Sequence, residues 1–142
     1  MRNLITFAMS VAMLGCATKP IPSDAAQVGR ALAFQQQPAS DYGTITVVRD
    51  AGYTGGMCAI ELTVEGKPAA ILEREEKVVL YLPVGRQTLG ASFKGKGLCG
   101  AQTNNDRTRS DLEIQVENQD IRTYRISMSP DAGLNIRPAP IR

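Results

Sequence analysis

Beyond residue 43 the apolar positions of this chain recur with a period of two. In residues 58–65, Cys58, Ile60, Leu62 and Val64 fall on one side and Ala59, Glu61, Thr63 and Glu65 on the other. Residues 110–118 repeat the pattern, with Leu112, Ile114 and Val116 against Asp111, Glu113, Gln115 and Glu117. In residues 122–128, Tyr124, Ile126 and Met128 share a side. Alternation of this kind predicts half-buried strands. Shorter apolar runs add candidate strands at 43–49 with Ile45 and Val47, at 68–73, at 77–83, at 87–93 with Leu89, Ala91 and Phe93, and near Leu134 and Ile136. Turn signals at Glu65-Gly66-Lys67 and Asn118-Gln119-Asp120 read as hairpins. About seven or eight short strands with no long helical period predict a small antiparallel β-sandwich over residues 41–142.

The N-terminal third follows other rules. Leu4 to Leu14 is an apolar run interrupted only by Thr6 and Ser10, preceded by one cation, Arg2, and no acid. It is shorter than the ~20 residues a transmembrane helix needs and suits the apolar region of a signal peptide. No later run approaches spanning length. Residues 16–40 begin with Pro20 and Pro22 and end in three glutamines and Pro38. They read as a tether, with or without a short helix capped by Ser23 and running to Phe34.

Composition removes several chemistries. The chain has no histidine, which excludes Ser-His-Asp and Cys-His catalysis, His-containing zinc sites and imidazole proton shuttling. The 16 basic and 14 acidic residues are too balanced for a nucleic-acid footprint. No catalytic residue, metal ligand set or cofactor motif stands out. The acids of residues 73–77 sit among Arg74 and Lys77 and read as a polar turn. Asn104-Asn105-Asp106 lacks the ligand order of a calcium loop. Residues 52–56 read as a flexible connection.

Two resemblances add to this reading. Met13-Leu14-Gly15-Cys16 resembles the lipobox of bacterial lipoprotein signal peptides, with Met13 where that pattern commonly has Leu and Leu14 where it has a small residue. The resemblance implies cleavage of residues 1–15 and acyl chains on Cys16. Ala17, in place of Asp, implies delivery to the outer membrane, facing the periplasm. Residues 60–97, with Val64-Glu65-Gly66-Lys67-Pro68 at one turn and Leu82-Pro83-Val84-Gly85 at another, resemble the PEGA-type small β-domains and related lipoprotein sandwiches. That resemblance implies an extracytoplasmic binding or structural module.

Setting Cys16 aside leaves two of the three cysteines, Cys58 and Cys99. In an oxidising compartment the expected outcome is a bridge between them, the alternative being two separate buried thiols. The polar segment 93–110 is the first candidate for partner contact, through Lys94, Lys96, Arg107 and Arg109. The functional expectation is a membrane-anchored, non-catalytic module of a surface or envelope complex with a protein partner. The alternatives are a periplasmic inhibitor or exclusion factor, for instance of a lysozyme or a phage receptor, and an enzyme using carboxylates or lysine.

Overall fold

The computed structural model describes residues 19–52, 57–101 and 106–140. The signal-peptide and Cys16 expectations, most of the 52–56 connection and the 104–105 part of the proposed turn lie outside them.

The described chain forms a β-sandwich of two five-stranded sheets. The first has the order β1 (Gln27–Val28), β6 (Glu76–Pro83), β3 (Tyr42–Arg49), β9 (Ile121–Ser129), β10 (Gly133–Pro138). The second has the order β2 (Arg30–Ala31), β5 (Lys67–Leu72), β4 (Ala59–Val64), β7 (Gly85–Lys94), β8 (Arg109–Val116). The inward residues expected from the period-two pattern meet between the sheets. Ile45, Val47, Leu62, Val64, Leu80, Leu82, Leu89, Val116 and Ile126 are completely buried in one core. Aliphatic side chains dominate it, as the scarcity of aromatics requires.

Turn chemistry places the strands. Glu65 (φ 50°) and Gly66 (φ 73°) form a tight hairpin between β4 and β5, as expected. The second expected hairpin is a corner instead. Asn118-Gln119-Asp120 carries the chain from β8 in one sheet to β9 in the other. There Thr44 N donates to Asp120 O (2.7 Å) and Gln119 N to Tyr42 O (2.9 Å). These bonds seat the start of β9 beside the start of β3, so the two strands run parallel. The sandwich is therefore mixed where pure antiparallel pairing was expected.

Of the two readings left open for the tether, with and without a short helix after Ser23, the structure takes the one without. One hydrogen-bonded turn closes on Pro22 O, from Ala25 N (3.1 Å) and Ala26 N (3.2 Å). The chain then becomes extended. Gln27–Val28 adds to the edge of β6 and Arg30–Ala31 to the edge of β5. Open sheet edges offer unpaired N–H and C=O groups, and here they outcompete helix formation in a segment whose apolar spacing suited either state. The strand total rises to ten for this reason.

Gly29 makes the crossing from one sheet to the other. A Cβ there would lie 2.5 Å from Leu72 Cδ2 and 3.0 Å from Glu76 Oε2, so glycine lets the strap come this close without displacing the Leu72 side chain from the core. Farther on, Phe34 packs against the core, its carbonyl accepts from Tyr81 N (2.9 Å), and Lys67 Nζ sits 5.4 Å from its ring centre. The expected tether over 16–40 is thus held on the sandwich from Lys19 onward. Lys19 N donates to Ala51 O (2.7 Å), Arg125 Nη2 to Ile21 O, and Lys77 Nζ to Ser23 O. Lys77 and Arg125 both flank Val48 across the ladder, so the strap passes over Val48 and accounts for its complete burial.

Candidate functional site

One end of the sandwich gathers most of the chain's distinctive chemistry. Strands β3 and β9 end there, and β4, β6 and β10 begin there. Cys58 lies just ahead of β4. Cys99 lies in α1 (Leu98–Ala101), a single helical turn after β7. The two are bridged, with Sγ atoms 2.09 Å and Cα atoms 5.5 Å apart. The bridge fixes the connection after β7 to the strand beside it. Each bridged cysteine follows an exposed apolar residue: Met57 is 98% exposed and Leu98 84%.

The four cations proposed for partner contact reach this end, but they do not form one free patch. Lys94 pairs with Glu61 on the neighbouring strand. Arg109 Nε lies 3.1 Å from Asp111 Oδ2. Arg107, in a 3₁₀ turn at Asp106–Thr108, donates to the carbonyls of Pro130 and Asp131 and ties this turn to the β9–β10 connection. Gly133 completes that seam: a Cβ on it would stand 2.4 Å from Arg107 O. Lys96 is exposed, with no protein partner among the described residues.

Beneath the same end lies an ionic cluster, buried at Arg49 and Asp50 and half-buried at Arg125, that the sequence reading did not single out. Arg49, Asp50 and Arg125 carry it. Asp50 Oδ1 accepts from Arg125 Nε at 2.9 Å and from its Nη2. Asp50 Oδ2 is buried without a hydrogen-bond partner among the described residues. Arg49 Nη1 donates to Leu72 O (2.8 Å). Burial pushes the Arg49 guanidinium down to about 10, against the opposing pull of Glu73 and Glu76. One signal for it was present: Arg49 continues the inward set of Ile45 and Val47. The partnership of Asp50 with Arg125 had no signal, because 75 residues separate them.

An open groove of about 940 Å³ runs between the strap and the outer face of β9 and β10, lined by Pro20, Pro22, Arg125, Arg137, Pro138 and Pro140. One of its two cations, Arg125, is already committed to Asp50 and Ile21. Among the described residues no three His, Cys, Asp or Glu side chains come close enough to hold a metal ion. No described helix is long and apolar enough to cross a membrane. What this arrangement offers is a rigid, cross-linked end carrying exposed apolar side chains.

No family model and no curated protein matches the chain at a significant level.

Proposed function

We propose that this chain is a lipid-anchored lipoprotein of the bacterial envelope and works there as a non-catalytic binding or structural module of a surface or envelope complex. The observation that carries the reading is the Cys58–Cys99 bridge. A bridge suits a compartment outside the cytoplasm. It also leaves Cys16 as the one cysteine of three outside it. Cys16 directly follows Gly15 at the end of an apolar run, as acyl attachment requires. Ala17 in the next position favours the outer membrane, with the domain facing the periplasm. A single acyl chain gives only reversible attachment, with K on the order of 10⁴ M⁻¹, so firm anchoring calls for more than one chain. The ionic cluster fits a structural role, since Arg125 pairs with Asp50 and Arg49 donates to Leu72 O within the fold.

The test is fractionation of cells expressing the chain and its Cys16→Ser variant. The parent is expected in the membrane fraction at its processed size. The variant is expected unprocessed at residue 16 and without an acyl anchor. Identical processing and acylation of the two proteins would sink the proposal. Crosslinking in intact cells then identifies the protein partner.

A further inference from the structure

We infer that the cystine end of the sandwich faces the bilayer, with Met57 and Leu98 entering the boundary between headgroups and acyl chains. The inference rests on acylation of Cys16. Its geometry comes from the strap. Lys19 is hydrogen-bonded to Ala51, just past the end of β3. Three residue steps separate Lys19 from Cys16, and an extended chain covers at most ~3.6 Å per residue. The acylated residue is therefore held within about 11 Å of this end of the domain. That leash leaves no room for a folded partner between the leaflet and the cystine end.

The surface brought to the leaflet suits it. Met57 and Leu98 are almost fully exposed and sit on a cross-linked base, so their ordering is largely fixed before contact. Lys96 lies two residues from Leu98, where a long amphipathic side chain can keep its stem on the apolar side and its ammonium among the headgroups. Lys94 and Arg109 are already paired with Glu61 and Asp111. Beside these pairs the same end carries two further cations, Lys96 and Arg107, and two further acids, Asp106 and Asp131, so its charges nearly balance and a zwitterionic lipid surface is its expected occupant. The acyl chains supply attachment, and the two side chains set orientation. The opposite end, with Val84 between β6 and β7, is about 25 Å away along the eight residues of β3 and projects into the aqueous space.

The chain contains no tryptophan, so a single introduced indole is an unambiguous reporter. Met57→Trp, Leu98→Trp and Val84→Trp are each made in the full chain. Each protein is purified from membranes and reconstituted into phosphatidylcholine vesicles with plain or brominated acyl chains, and its intact mass is measured in parallel. The expected result is at least about twofold bromine quenching at positions 57 and 98, with a blue-shifted emission, and little quenching at position 84. All three sites are exposed, and either reporter at the cystine end suffices if the other variant folds poorly. An acylated protein with equal quenching at both ends, or with quenching confined to position 84, overturns the orientation and leaves the lipoprotein reading standing. A mature protein without acyl mass overturns both.

Discussion

The Asp50 carboxylate accepts from Arg125 Nε at 2.9 Å across the adjacent strands β3 and β9, and the same guanidinium donates onward to Ile21 O in the N-terminal strap. One half-buried cation thus joins the centre of a sheet to the segment that closes its edge. Removing one member of a buried pair strands the other charge and costs about 3–5 kcal/mol. Arg125→Ala is expected to lose stability of this order in urea melts and to expose residues 19–24 to amide exchange. By contrast Arg109→Ala, which removes a pair whose side chains are 66% and 46% exposed, is expected to cost no more than about 1 kcal/mol. Equal losses for the two variants would contradict the structural role assigned to Arg125.

The Cys58–Cys99 bridge spans 41 residues. On the chain-entropy account a loop of that length contributes about 4 kcal/mol by restricting the unfolded chain. Replacing both cysteines with serine is expected to lower Tm by about 10–20 °C while keeping the β-rich circular dichroism spectrum. An unchanged Tm would show that the bridge contributes nothing to this domain.

A side chain at Gly29 would have to push aside the buried Leu72 side chain and crowd Glu76. Gly29→Ala is expected to cost about 1–3 kcal/mol through overpacking. The first symptom is loss of amide protection at Gln27, Gly29 and Leu32, whose N–H groups bind Glu75 O, Lys77 O and Ala69 O. Core amides in β4 and β7 are expected to keep theirs. Uniform loss of protection across both sheets would show instead that the strap and the sandwich unfold as one unit.

Burial lowers the Arg49 pKa to about 10, well below the ordinary guanidinium value that holds in the unfolded chain. The unfolded chain therefore binds the extra proton only above about pH 10, and stability through this group rises with pH only there. Below that window the group is charged in both states and its burial penalty is constant. Arg49→Met is expected to shift Tm by the same amount at about pH 6 and about pH 9. A shift that changes between those two values would assign the residue a titration it does not have.

The elements most legible in the sequence were the strands with one wet face. In β4, β8 and β9 the inward and outward sets alternate with few breaks, and the expected core residues Ile60, Leu62, Ile114, Tyr124 and Ile126 are all buried. The strap was not legible, because Gln27–Val28 and Arg30–Ala31 are held by backbone bonds to edges contributed by distant segments. Side-chain period carries no information about such pairing. The corner at 118–120 looked like a hairpin for a related reason: the same turn residues serve a hairpin and a crossing between sheets. The cysteine pairing was the expected one of two outcomes once the lipobox resemblance had set Cys16 aside. The fate of the loop cations was not, since Lys94 meets Glu61 and Arg107 meets the carbonyls of Pro130 and Asp131 only after the strands have assembled.

The proposed anchor and the bridge can be read in one intact-mass spectrum of the protein extracted from membranes without reductant. The expected species begins at Cys16, carries the added mass of its acyl chains, and yields on digestion a peptide pair joined through Cys58 and Cys99. A protein that retains residues 1–15, or that begins at Cys16 with an unmodified thiol, would contradict the central proposal.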